Sequence, residues 1–377
     1  MPVQAAFNLN PNEIFASIAN MIISQEVFAD NLGKHQTLVD KARVDGGLYG
    51  DKKLYYATDV LKSHPWGADA EASNLLSLDR PDDPKVQDIT LDIFRQIRLT
   101  VDNYLSKRAW SNEGAFSSFQ SVMLGWMRET KRVYDGTLYN VFIGATETSV
   151  GKQMQSIDIT TAVGSATGEE ANRLEAEAIA QHIANLLVEM GDYSRDFNDY
   201  GFLRSYAEDA IKVVWNAKFV NKIRKVDLPT IFHKEGLVDK FEEDVLPERY
   251  FGRAIAASDM GEGKVIGADG AYDSTKGTLR AAKEFDYNNV HYFPGDALAT
   301  SGTYVAVVGG LEASQVYLEE SDVICKVLVK LPPMMSAFEV GTSFFNPRSL
   351  TENHYLTFGH NTLEYLKNYP FITIKAI

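Results

Sequence analysis

The 377-residue sequence holds a single cysteine, Cys325. No disulfide can form within the chain, which fits folding in a reducing cytosol. Cys325 sits in the apolar run "SDVICKVLVKL" and reads as a small buried hydrophobe rather than a reactive thiol. Long apolar runs are also missing. No stretch reaches the ~18 residues that a membrane helix needs. The start, "MPVQAAFNLNPNE", lacks a charged leader followed by an apolar stretch. The expectation is a soluble protein with no signal peptide and no membrane partner. Positive charge is scarce too: 37 basic against 51 acidic residues leave a formal net charge of −14. Nucleic-acid affinity rests on Lys and Arg displacing counterions, so a dedicated DNA reader is disfavoured.

Catalytic signatures are absent in the same way. "GEGKVIG" brings Gly261, Gly263 and Gly267 together, but no clear strand precedes them, and Val265 follows Lys264 where a P-loop needs Ser or Thr. In "GATETSVGKQ", Gly144 and Gly151 are too far apart and Gln153 follows Lys152. Both sets read as mobile loop glycines. The seven histidines, at 35, 64, 182, 233, 291, 354 and 360, are scattered without an HExxH pair. "ENHYLTFGHN" places Glu352, His354 and His360 close in sequence, a metal option without compact ligand spacing. Residues 67–93 carry seven acids and two bases, a calcium option without EF-hand spacing; they read as an exposed tip. No serine sits in a G-x-S-x-G elbow. Asp192, Asp196 and Asp199 in "GDYSRDFNDYG" read as a solvated turn. No catalytic, cofactor-binding or metal residue is assigned and no cofactor is expected; a cryptic carboxylate pair stays open as the acid–base option.

What is present is ordinary globular composition, 45% hydrophobic and 23% charged, in a chain long enough for two or three sub-domains. "PNEIFASIANMIISQEVFADNL" reads as a helix capped by Asn12, with an apolar stripe (Ile14, Phe15, Ile18, Met21, Ile22, Phe28) that needs a partner surface. A strand is expected at "KLYYATDV". "DITLDIFRQIRLTVD" alternates apolar and polar residues from Asp88 to Asp102. That is a strand of roughly 50 Å at ~3.3 Å per residue, far beyond the usual 5–6 residues. It suggests a projecting hairpin that lies on something else, so that aspartates at Ile97 and Leu99 would impair assembly more than folding. Residues 111–146 switch to helical spacing, with Ser111 or Asn112 as cap and Trp126, Met127, Tyr134 and Val141 on the apolar face. Gly136 weakens this helix without ending it.

A strand follows at "KQMQSIDITT". Next comes a helix in "TGEEANRLEAEAIAQHIANLLVEMGD", with a Thr167–Glu170 capping box, Gly191 at its end and a buried stripe of Ile179, Ile183, Leu186, Leu187 and Met190. His182 lies beside that stripe. Residues 192–330 read as mixed α/β, with strands at "AIKVVWN", "TYVAVVGG" and "DVICKVLVKL", helical turns at 217–225 and a helix at "TLRAAKEF". "YPFITIKAI" reads as a final strand. The apolar arm, the long strand and the long helix are all hard for a monomer to bury. They suit a protein that binds copies of itself.

The stretch "RSYAEDAIKVVWNAKFVNKIRKVD" resembles a pattern found in the major capsid proteins of tailed bacteriophages: a Ser-x-x-x-Glu-Asp lead, a β-branched strand ending near Asn, and a short helix. "EEANRLEAEAIAQHIANLLVEM" is similar to the helix that precedes it there. The order of elements looks most like short-tailed podovirus capsid proteins, and the residue-level match is strong over 165–236. The resemblance implies an α+β Hong Kong 97-type fold: an N-terminal arm (1–45), an extended β-hairpin E-loop (46–110), a P-domain with a long spine helix (111–152 and 331–377) and an α/β A-domain (153–330). It implies a structural, non-enzymatic protein that self-assembles into hexamers and pentamers of an icosahedral shell around double-stranded DNA. The implied partners are other copies, a scaffolding protein and a portal; assembly takes place in the host cytoplasm and the product resides in the virion. An encapsulin-type compartment shell shares the fold and is the alternative, separable by neighbouring genes. A cytosolic α/β enzyme is the third reading, separable by particle size. Within the stretch, Asn216 is expected to cap the helix, Phe219, Val220 and Ile223 to pack, and Lys218, Lys222 and Lys225, with Arg224 at their edge, to form a solvated or inter-subunit basic face rather than a phosphate grip.

Overall fold

The computed structural model describes residues 37–47, 51–63, 78, 80–102, 113–225, 242–261, 271–272, 277–287, 289–299, 305–306, 311–337 and 339–377. The expected N-terminal helix and the tip of the acidic stretch lie outside them. In chain order the described elements are α1 (Thr37–Ala42), β1 (Arg43–Asp45), β2 (Lys52–Ala57), β3 (Lys85–Asp102), α2 (Glu113–Ala145), β4 (Met154–Ile157), α3 (Ile159–Val163), α4 (Glu169–Gly191), β5 (Lys212–Asn216), α5 (Ala217–Lys225), β6 (Glu242–Leu246), β7 (Gly252–Ala254), β8 (Ala271–Tyr272), β9 (Leu279–Ala281), β10 (Phe285–Tyr287), β11 (Val290–Tyr292), β12 (Ala297–Ala299), β13 (Val305–Ala306), β14 (Val316–Glu319), β15 (Val323–Leu328), β16 (Met334–Ser336), β17 (Val340–Asn346), β18 (Thr351–Asn361) and β19 (Phe371–Ala376). They cluster into two units. One comprises Met1–Asp51, Thr90–Tyr139 and Pro333–Thr362, the other Lys52–Ile89, Asn140–Pro332 and Leu363–Ile377.

The first unit is organised by the period-2 pattern of β3. Leu91 and Val101 are buried, Ile93, Ile97 and Leu99 are half-buried, and Asp92, Gln96, Arg98 and Thr100 are exposed. The strand pairs antiparallel with β18, from Leu91 opposite Asn361 to Asp102 opposite Thr351. β17 continues the sheet beyond β18, and β16 joins β18 to the parallel β1. The preceding β2, its neighbour on the other edge, has six residues against the eighteen of β3. The expected hairpin partner therefore accounts for a small part of the long strand. Ile97 and Leu99 lie opposite Leu356 and His354, and directly opposed residues share a face. These positions belong to the sheet of their own unit, so aspartates there are expected to damage folding first. From α2, Tyr134 lies against Phe358 and His360 at ring distances of 5.7 and 5.5 Å. Leu38, Val39 and Ala42 of α1 are buried. α2 runs unbroken through Gly136 for 33 residues, about 50 Å at 1.5 Å each.

The second unit holds a five-stranded sheet in the order β4-β19-β15-β5-β6. Every residue of β15 is buried, as its continuous apolar run requires of a strand covered on both faces. Ile179, Ile183, Leu186, Leu187 and Met190 of α4 pack into one core with Val213, Trp215, Ile324, Val327, Ile372 and Ile374. The start of α4 departs from expectation. Gly168, at φ 67°, is the N-cap, and no side chain caps the helix. Glu170 pairs with Arg173 at 2.6 Å instead of closing a box with Thr167. A second sheet, β12-β9-β14-β7, packs around Leu279, Val316, Leu318 and Ile255. "TLRAAKEF" is not the expected helix: Leu279 and Ala281 are buried alternately in β9, and Phe285 begins β10. Pairing of β9 with both β12 and β14 outweighs the local helix preference of Ala, Arg, Lys and Glu.

Gly144 is not the loop residue its sequence context suggested. It lies in the last turns of α2, and a Cβ there would come within 2.1 Å of the Tyr250 carbonyl oxygen and 3.2 Å of the Phe251 nitrogen. Gly125, in the same helix, has nothing within 4 Å of that position. Gly125→Ala is expected to stabilise by about 1 kcal/mol through helix propensity. Gly144→Ala is expected to destabilise by about 2 kcal/mol because backbone must shift. Denaturant melts of the two variants should move in opposite directions.

Candidate assembly interface

Three surfaces stand out, each within one unit. In the first unit, β17 is exposed from Gly341 to Phe345. Consecutive strand residues face opposite sides, yet Phe344 is 61% and Phe345 48% exposed, with Leu350 in the turn 42% exposed. Both faces of the β17–β18 hairpin are therefore open near its tip. In the second unit, Leu54 and Tyr56 share the exposed face of β2, and Val60 and Leu61 just beyond it and Val86 at the start of β3 are exposed too. Among the described residues β2 is the last strand of its sheet. On α4, Val188 is exposed, as is Tyr193 just beyond the helix.

The exit of β2 is clipped to its unit. Asp59 accepts from Arg195 Nη1 at 2.6 Å, from the Leu203 N–H at 3.0 Å and from the Val60 N–H at 2.9 Å. These bonds, led by the Arg195 guanidinium, hold the carboxyl down at about 2. Arg204 reaches the Thr58 carbonyl, and Gln87 of β3 bonds the Tyr365 carbonyl and the Lys367 N–H. Because the folded pKa is depressed, the Asp59 contribution is present above the ordinary carboxylate pKa and is lost as pH falls through about 2. Asp59→Asn is expected to lower the stability of this unit by about 1–2 kcal/mol at neutral pH. Its deficit should shrink toward zero in strong acid, which melts at graded pH would show.

At the "VVWNAKFVNKIRK" stretch, Val213, Val214 and Trp215 are buried. Asn216 Oδ1 accepts from the Lys218 N–H at 3.0 Å, the cap expected of it, while its Nδ2 donates to the Val323 carbonyl. Phe219 and Val220 pack. Lys218 bonds the Ser321 carbonyl and pairs with Glu248 at 3.3 Å, so it is not a free phosphate-gripping cation. The side chains of Lys222, Ile223, Arg224 and Lys225 lie outside the described residues.

The residues weighed for chemistry do not converge. Glu352 and His354 lie 3.9 Å apart, but His360 is six strand positions on, roughly 20 Å at ~3.3 Å per residue. His360 is engaged with Tyr134. Among the described residues no group of three His, Cys, Asp or Glu is placed to hold a metal. His182 bonds Gln155 at 2.7 Å beside the α4 stripe. Cys325 is buried, and burial pushes its thiol up. Asp199 is not a solvated turn residue: it accepts from Gln153 Nε2 at 2.8 Å and from the Tyr365 hydroxyl. No sequence motif marks that network, because its members come from residues 153, 199 and 365.

A further cluster escaped sequence reading. Lys326, fully buried in β15, donates to the Thr146 carbonyl just past α2 and to Thr373 Oγ1, both at 2.9 Å. Lys375 bridges Glu147 at 3.0 Å and Glu320 at 2.5 Å, and Arg253 joins Glu320 at 2.9 Å. The one local signal was a lysine inside an otherwise apolar run. These groups are all engaged with one another, as a structural joint would have them.

No family model matches the chain, and no curated protein matches it. Solved structures do. A chain in the capsid structure of Staphylococcus phage Andhra superposes with a TM-score of 0.53 over 89% of this chain and 83% of that one, at 10% identity. A chain in the structure of the head fiber and inner core protein gp22 of native bacteriophage P68 superposes at 0.54 over 88% and 83%, at 11% identity. The chain has the Hong Kong 97-type capsid fold. At these identities the likeness is one of fold, and the α+β class expected from the sequence is the class observed. Within this capsid fold, the 33-residue α2 and the 18-residue β3 are the longest described helix and strand.

Proposed function

We propose that this protein is the structural major capsid protein of a tailed bacteriophage and assembles into hexamers and pentamers of an icosahedral shell around double-stranded DNA. The observation that carries the reading is the match of nearly nine-tenths of the chain to the capsid fold. The exposed apolar surfaces on the hairpin β17–β18 and around β2 support it, since they offer contacts to further copies. In this reading residues 1–45 are the arm, 46–110 the E-loop, 111–152 and 331–377 the P-domain, and 153–330 the A-domain. The likeness to short-tailed phages rests on the sequence pattern of 165–236. A scaffolding protein and a portal are the further partners, and assembly takes place in the host cytoplasm. The net charge of −14 keeps the shell from adhering to the packaged genome. The protein acts by mass and geometry, with no catalytic step. Expression of the full chain, alone and with a scaffolding protein, followed by sedimentation and negative-stain microscopy, tests this. Closed megadalton shells are expected. A small oligomer under every condition would overturn the reading.

A further inference from the structure

In the first unit, the contact between α2 and β18 is closed by a buried histidine. His360 is 2% exposed. Its Nδ1 lies 2.8 Å from the Asn361 carbonyl oxygen, and its Nε2 lies 2.7 Å from the Tyr134 hydroxyl. A carbonyl can only accept, so Nδ1 carries the proton. Nε2 is then the lone-pair nitrogen and accepts from Tyr134. Both ring nitrogens are satisfied, and the ring is neutral.

The surroundings offer an imidazolium little help. From α2, Asp135 brings negative charge toward the ring, but its carboxylate is held by Lys131 at 2.7 Å and by Arg43 at 3.3 Å. From β3, Asp92 accepts from the Thr362 N–H at 2.8 Å and its hydroxyl at 2.7 Å. Arg95, also on β3, stands 5.0 Å over the Tyr134 ring and adds positive charge to the same pocket. From β16, the residue paired with His360 is the uncharged Ser336. Protonation would place a second N–H against the Tyr134 hydroxyl, which would have to turn its own proton away, and would set a buried cation beside a guanidinium.

We propose that His360 is an acid-sensitive latch: neutral, it binds α2 to β18, and protonated, it loosens that contact. Burial, the largest cause, holds its pKa below the ordinary value. The folded pKa is depressed, so the unfolded chain takes up this proton first as pH falls. Stability from His360 is complete above the ordinary histidine pKa and declines as pH falls from there to the folded value.

The test is hydrogen exchange on the unassembled full-length chain at about pH 7.5 and about pH 5, corrected for intrinsic rates. In the wild type, protection in the α2 segment around Tyr134 and in β18 around His360 should fall about tenfold more than in His360→Gln, which keeps a donor and an acceptor but binds no proton. Equal losses in both proteins would overturn the latch. If His360→Gln does not fold, the wild-type chain decides alone by NMR titration of the His360 ring. Titration below the ordinary histidine range, together with opening of the same segments, supports the proposal. Titration at or above that range overturns it.

Discussion

Replacing Phe344 and Phe345 together by aspartate should leave the subunit folded and abolish shells. Both side chains are largely exposed on β17, and surface substitutions of this kind usually change stability by about 0.5 kcal/mol or less. The pair covers both faces of the hairpin, because adjacent strand residues point to opposite sides. If either face meets a neighbouring copy, the aromatic on that face contributes about 2 kcal/mol to the contact, roughly thirtyfold in affinity. A shell multiplies the loss over every contact of the same kind. Sedimentation should show wild-type shells and a variant that stays small, with matching thermal melts for the two unassembled subunits. Wild-type yields of shells from the variant would place the hairpin in solvent. A lowered melting temperature would place the two rings in a core.

Lys326→Ala should strongly destabilise the second unit. It removes the hydrogen bonds to the Thr146 carbonyl and to Thr373 and leaves a cavity in the central strand. About 3 kcal/mol of stability should be lost. Glu147 keeps Lys375 at 3.0 Å, so no carboxylate is orphaned. Lys326→Met fills the space and should recover much of the loss, as apolar replacements of buried charges often do. A pH signature separates the charge from the packing. Burial, its main cause, holds Lys326 down at about 8 against an ordinary 10.5. Below pH 8 the folded state carries the buried charge at a cost. Between about 8 and 10.5 the unfolded chain keeps a proton that the folded chain has released, so stability rises with pH. Lys375 acts above that window: burial pulls its pKa down, but Glu320 and Glu147 outweigh burial and raise it. Between about 8 and 10.5 wild-type stability should rise relative to both variants; the buried Cys325 thiol, pushed up, acts in the opposite sense in all three and cancels in that comparison. A rise that persists in Lys326→Met would assign it to another group.

The parts legible in the sequence share one property: their signal repeats along the chain. The alternation from Asp88 to Asp102 and the 3.6-residue spacing of α2 and α4 each repeat several times, and each became the expected element. Short segments carry too little repetition for that. "TLRAAKEF" has helix-forming composition, yet β12 and β14 draw it into a sheet. The role of Gly144 depends on the backbone of Tyr250, 106 positions away, which no local pattern reports.

By itself the sequence determined that this is an acidic chain with no disulfide within it, one very long strand, one very long helix and a stretch that resembles a capsid pattern. The strand and the helix follow from steric and hydrophobic preferences acting between near neighbours in the chain. The tertiary structure decided which strands meet and which charges lose their water. β18 pairs with β3 across more than two hundred residues, Lys326 finds Thr146 and Thr373, and His360 finds Tyr134. Pairing and desolvation depend on chain closure over such distances, and the free energy of a buried lysine or histidine is set by the groups that closure brings to it.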